Sequence, residues 1–201
     1  IISREISRVA PENVAGCHIT MLTGGPLGKP DDMEDITDIE QQLLDRAAWY
    51  QAEDDGYFRI QQTRPQTLGT GLNDSPAGLL AWITEKFYGW TDNGGDLLTT
   101  VDKDKLLANV SLYWFTGTIN SSTRIYYEMF KTLEPGFGST GDTPVGVSVF
   151  PYELMMPRRR WVEDSMNLVL WAEHEKGGHF ASLETPEVFV EDVRECFRGL
   201  R

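Results

Sequence analysis

The run Val145-Gly146-Val147-Ser148-Val149-Phe150 carries a single hydroxyl among otherwise apolar residues. Short, largely apolar and β-permissive, it has the profile of a strand buried in a parallel sheet, not the alternation of a half-exposed one. Leu168-Val169-Leu170-Trp171-Ala172 repeats the signature downstream, and Val14-Ala15-Gly16-Cys17-His18-Ile19-Thr20 carries it upstream. Pro157 to Met166 fits a helix between the two later runs. Thr185-Pro186-Glu187 caps a last helix whose apolar face is Phe189, Val190, Val193 and Phe197. At the front, Ile1, Ile2, Ile6 and Val9 recur at helical spacing and stop before Pro11, which predicts an amphipathic helix over residues 1–10. Strands alternating with helices imply a parallel sheet joined by crossovers, the α/β class.

Between the first strand and the second the pattern changes. Gly24-Gly25-Pro26 and Gly28-Lys29-Pro30 punctuate a loop, and from Asp31 to Glu134 the apolar positions follow helical spacing. Met33, Ile36, Leu43, Ala47 and Tyr50 mark one helix. Asp74-Ser75-Pro76 supplies a cap and a first-turn proline for a second, through Leu79, Leu80, Ile83 and Phe87. A third begins at Asp102 and carries Leu106, Leu107, Val110 and Trp114; a short fourth holds Arg124-Ile125-Tyr126-Tyr127-Glu128. The expected organisation is therefore core over 1–30, a helical insertion over 31–134 and core again over 135–201. Three strands are too few for a sheet covered on both faces, so further strands are expected upstream of Ile1.

Composition narrows the function. The chain has 201 residues, with 18 basic and 31 acidic side chains, a formal charge of −13, and is 40% hydrophobic. The apolar fraction suits one globular core, and the negative charge repels phosphate backbones, which disfavours nucleic acid as a partner. No apolar run approaches the roughly 20 residues that span a bilayer. Cys17 and Cys196 are the two cysteines, far apart in sequence, which suits a reducing, cytoplasmic setting better than a disulfide scaffold.

In open α/β sheets chemistry collects at the carboxyl ends of the strands. Pro151-Tyr152-Glu153 follows the strand ending at Phe150, and Lys176-Gly177-Gly178-His179-Phe180 follows the next one. There Glu153 can orient one imidazole nitrogen and leave the other as a base, with the glycines letting the backbone take a tight path. The bland alternative is a surface glutamate and an ordinary loop histidine. His18 in a strand and His174 in a charged run have no metal-site spacing and read as a satisfied strand histidine and a solvated one. Arg158-Arg159-Arg160 reads as a solvated face, with a phosphate site as the minor alternative. The insertion's tyrosines and tryptophans read as helix packing, or else as an apolar pocket with phenols as donors.

Longer motifs then become recognisable. Asp55-Gly56-Tyr57-Phe58-Arg59-Ile60-Gln61-Gln62-Thr63-Arg64-Pro65 with Leu72-Asn73-Asp74-Ser75-Pro76, Asn109-Val110-Ser111-Leu112-Tyr113-Trp114, Phe150-Pro151-Tyr152-Glu153 and Gly177-Gly178-His179-Phe180-Ala181 closely resemble the microsomal-type epoxide hydrolases. The resemblance runs in order over nearly the whole chain. It implies the α/β-hydrolase fold, with a helical lid between core strands. It also implies that Tyr57 and Tyr126 are the lid phenols gripping the epoxide oxygen, His179 the water-activating base and Glu153 its orienting acid. Tyr127 adjoins Tyr126 and would replace it if the register slipped by one. The family's nucleophile is an aspartate in a Gly-Gly-Asp-Trp-Gly turn, absent here and expected upstream of Ile1. The chain thus resembles the lid and C-terminal half of an enzyme whose N-terminal half is its natural partner. The implied substrate is a small-molecule epoxide, opened to a vicinal diol through an alkyl-enzyme ester without a cofactor. A serine esterase or haloalkane hydrolase on the same fold, or a non-catalytic binding protein, is the alternative.

Overall fold

The computed structural model describes residues 1–131 and 137–200, and the expected insertion boundary at Glu134 lies outside them. In chain order the elements are α1 (Ile2–Val9), β1 (Cys17–Ile19), α2 (Asp38–Trp49), a π-helical turn (Tyr50–Asp54), α3 (Gly56–Thr63), α4 (Pro65–Asp74), α5 (Pro76–Trp90), α6 (Lys103–Thr116), α7 (Ile119–Lys131), β2 (Pro144–Val149), β3 (Asn167–Glu173), α8 (Ala181–Glu184) and α9 (Pro186–Cys196). They form two compact units, Ile1–Ala48 with Pro135–Arg201, and Trp49–Glu134. Among the described residues no helix is long and apolar enough to cross a membrane.

The first unit holds a parallel three-stranded sheet in the order β1-β2-β3. β2 lies in the middle, with Val145, Val147, Ser148 and Val149 all but fully buried, as its unbroken apolar run requires. Gly146 interrupts the branched side chains because α9 crosses there: a Cβ at this position would lie 2.5 Å from Cys196 Sγ. The two thiols, far apart in sequence, meet at this crossing. Cys196 Sγ donates to the Cys17 carbonyl at 3.7 Å; both are buried and unoxidised, and burial pushes both thiol pKa values up.

Two expectations fail for one reason. The stretch from Pro157 to Met166 forms short 3₁₀ turns at Arg159–Trp161 and Glu163–Ser165 instead of an α-helix. The basic run is likewise not simply solvated. The Arg158 guanidinium is buried, donates to the carbonyls of Asp32 (2.6 Å) and Asp35 (3.1 Å), and pairs with Glu40 (3.0 Å). Trp161 Nε1 donates to the same Asp32 carbonyl, while Arg160 binds the Asp31 carboxylate and the carbonyls of Asp31 and Glu34. These hydrogen bonds satisfy an irregular strap over residues 31–36 that a regular helix on either side would leave unpaired. They also tie residues 31–48 to the first unit, so the compact division falls at Ala48 instead of the expected Asp31. Met33 and Ile36 precede the helix that they were expected to mark. α2 starts at Asp38, where Thr37 Oγ1 accepts from Glu40 N–H and Glu40 accepts from Thr37 N–H, a reciprocal capping box.

The second unit is all helical. Leu72, Leu79, Val110 and Ile119 form its buried centre, ringed by Leu68, Trp82, Ile83, Tyr113 and Trp114. The caps fall where the sequence puts them: Ser75 Oγ accepts from Gly78 N–H and Asp102 from Lys105 N–H. α3 and α4 were not anticipated, and α7 extends well beyond the short helix expected around Arg124–Glu128.

Candidate active site

In the first unit β2 and β3 run parallel and their pairing continues past the strand ends. His174 N–H donates to the Val149 carbonyl and Tyr152 N–H to the Gly177 carbonyl, so the two following loops lie side by side. Gly177 sits at φ 105, and a Cβ there would meet Phe150 Cδ1 at 2.9 Å; only glycine lets this loop fold tightly against Phe150. The consequence is a hydrogen bond of 2.7 Å between His179 Nδ1 and Glu153 Oε1. Glu153 is fully buried, and the same oxygen accepts from Leu154 N–H at 2.7 Å. A carboxylate oxygen only accepts, so Nδ1 carries the hydrogen and Nε2 is the basic nitrogen of the neutral ring. Both residues came from the strand-end argument, and the structure brings them together.

In the second unit the expected phenols also meet. The Tyr57 and Tyr126 rings lie edge to face with centroids 6.1 Å apart. Tyr127 is set apart from them by one helical step: its exposed hydroxyl accepts from Lys131, whose ammonium lies 4.1 Å from its ring centroid. One group beside this pair was read in the sequence only as a helix-marking aromatic. Tyr50, buried in the π-helical turn, places its hydroxyl 3.1 Å from that of Tyr57. Beneath Tyr57, Lys86 Nζ lies 4.9 Å from the ring centroid and pairs with Asp54 at 2.7 Å, and Asp54 also accepts from Trp90 Nε1. Burial, followed by the neighbouring phenols, holds the Tyr57 pKa far above the ordinary tyrosine value; burial also raises Tyr50 and Tyr126.

His18 and His174, read as unrelated, are joined through α9. His18 Nε2 lies 2.8 Å from Ser148 Oγ, which donates to Asp192 Oδ2 at 2.6 Å; His174 Nε2 reaches the same oxygen at 2.6 Å. His174 stacks on Phe150 with centroids 4.9 Å apart. No spacing rule finds this chain, because its members come from four separate elements. Among the described residues, no group of three or more His, Cys, Asp or Glu is placed to hold a metal ion.

Comparison with known proteins places this geometry among relatives. No family model matches the chain. It is 43% identical to a Stigmatella aurantiaca protein named "Putative epoxide hydrolase", over 100% of this chain and 45% of the relative. It is 32% identical to epoxide hydrolase 1 of Sus scrofa, over 100% of this chain and 49% of that protein. The crystal structure of juvenile hormone epoxide hydrolase from the silkworm Bombyx mori superposes with a TM-score of 0.86 at 30% identity, covering 98% of this chain and 52% of that one. The chain spans about half the length of the relatives it matches.

Proposed function

Because this chain belongs to the epoxide hydrolase family and shares part of its α/β-hydrolase fold, we propose that it contributes the lid and the water-activating half of an enzyme that opens epoxides to vicinal diols. The observation that carries the reading is the 2.7 Å hydrogen bond from His179 to buried Glu153. The paired phenols in the helical unit favour an epoxide over an ester or an alkyl halide, because neither of those reactions must supply donors to a strained ring oxygen as the nucleophile attacks carbon.

In the proposed reaction an aspartate upstream of these residues attacks a ring carbon. The carbon–oxygen bond breaks, its electron pair passes to the ring oxygen, and Tyr57 and Tyr126 donate hydrogen bonds to the forming alkoxide. His179 Nε2 then takes a proton from water, and the resulting hydroxide adds to the ester carbonyl and expels the second alcohol oxygen. The two protons of water end on the two diol oxygens, and the carboxylate is regenerated. Glu153 holds the ring in the required tautomer and stabilises its cation. The helical unit Trp49–Glu134 serves as the lid, and a cytoplasmic setting fits the two reduced, buried cysteines.

The test uses the complete polypeptide with His179→Gln, incubated with styrene oxide. Attack and water activation use different groups, so one substrate equivalent should remain covalently bound and show in the intact mass. Steady multiple turnover by the variant would sink the assignment. A serine in place of the upstream aspartate would favour an esterase instead.

A further inference from the structure

A phenol has one proton to give, and Tyr57 has a hydroxyl neighbour before any substrate arrives. Its oxygen lies 3.1 Å from the Tyr50 hydroxyl. If Tyr57 spends its proton on Tyr50, none remains for an epoxide. The reverse arrangement resolves the conflict: Tyr50 donates backward into the Tyr57 oxygen, and the Tyr57 proton points forward.

We propose that Tyr50 is a positioning residue whose hydroxyl directs the proton of Tyr57 toward the epoxide oxygen. The inference rests on the reading of Tyr57 and Tyr126 as the phenols of an epoxide hydrolase. Three observations support it. Tyr50 is 5% exposed, so water is a poor competitor for its hydrogen bond. Tyr50 owes its placement to the π-helical turn Tyr50–Asp54, an irregularity that costs backbone hydrogen-bond regularity and is frequent at functional sites. The same turn supplies Asp54, which fixes Lys86 over the Tyr57 ring. That cation favours negative charge building on the phenol oxygen as its proton is shared. Each donor behind a phenol also polarises it, so the phenol donates more strongly forward.

The experiment is a double-mutant cycle on the complete polypeptide with styrene oxide, resolving alkylation from ester hydrolysis by pre-steady-state kinetics. Tyr50→Phe keeps the ring and removes the hydroxyl. It should slow alkylation about tenfold, the scale of one neutral hydrogen bond, and leave ester hydrolysis within about twofold. The decisive arm is Tyr50→Phe added to Tyr57→Phe: a residue acting through the Tyr57 proton has nothing left to direct, so the pair should be no slower than Tyr57→Phe alone. Melting temperatures of all variants show whether each remains folded. A tenfold loss that persists in the Tyr57→Phe background, or an unchanged alkylation rate in Tyr50→Phe, would overturn the proposal while leaving the phenols their role. An unimpaired Tyr57→Phe would remove the functional reading and this inference with it.

Discussion

Tyr126 and Tyr127 are neighbours on α7, and one position of register decides which phenol serves the proposed reaction. Their surroundings differ: Tyr126 is packed edge-on to Tyr57 and Phe58, whereas Tyr127 carries Lys131 over its ring. Tyr126→Phe should therefore lower the alkylation rate by about 10²–10³, the usual loss for one oxyanion-type donor, and Tyr127→Phe should change it little. The opposite pattern in single-turnover kinetics would move the assignment by one residue. Because burial raises the pKa values of Tyr50, Tyr57 and Tyr126, these phenols stay protonated at pH values where exposed tyrosines ionise. An ultraviolet pH titration should show them ionising last, and an early phase lost in Tyr57→Phe would contradict that. At this scale Glu153 and His179 were legible because strand ends fix where chemistry collects. Tyr50 was not, since seven residues separate it from Tyr57 and only a π-helical turn, which leaves no compositional mark, brings their hydroxyls together.

Elements announce themselves where a local rule sets them. Ser75 and Asp102 accept from the first turns of α5 and α6 as any capping residue does, and the run at Val145 reads as a central strand because both its faces are covered. Long-range partners override such rules: Arg158 and Trp161 bind backbone more than a hundred positions earlier, and the expected helix there gives way to 3₁₀ turns. The junction of α9 with the sheet is equally hidden, and it carries a pH signature. Burial lowers the His18 pKa, with His174 acting in the same sense and Asp192 in the opposite one. The unfolded chain then takes up this proton before the folded chain does. The contribution of His18 to stability is complete above the ordinary histidine value of about 6.5 and falls as pH drops below it. Urea midpoints of the complete polypeptide at about pH 8 and about pH 5.5 should differ more for the natural sequence than for His18→Gln. Equal differences would mean that His18 does not titrate in this window.

At the scale of the molecule, α1 is turned the wrong way for a chain that is complete in itself. It buries Ser7, while Ile2 and Val9 are 83% and 63% exposed and Ile6 is also open. A helix presents such a stripe to a core, and at about 25 cal/mol per Å² of apolar surface its exposure is a substantial loss. β1 adds a second open surface, since it is three residues long, stands at the sheet's edge and pairs only with β2 among the described strands. This chain spans 45% of its Stigmatella aurantiaca relative and 49% of the Sus scrofa one, so the proposed cover is the other half of such a protein. Residues 1–201 alone should then bind an apolar fluorescent dye, melt without a sharp transition and turn over no epoxide. His179 would have water to activate but no ester to receive it. Adding a polypeptide that corresponds to the other half, with aspartate at the nucleophile position, should sharpen the melting transition, displace the dye and start diol formation. Alanine in place of that aspartate should preserve the sharp melting and the dye displacement but abolish the diol, which separates completion of the core from completion of the chemistry. Diol formation by purified residues 1–201 alone, with the other half excluded by mass spectrometry, would show that the nucleophile lies within this chain and would undo both proposals.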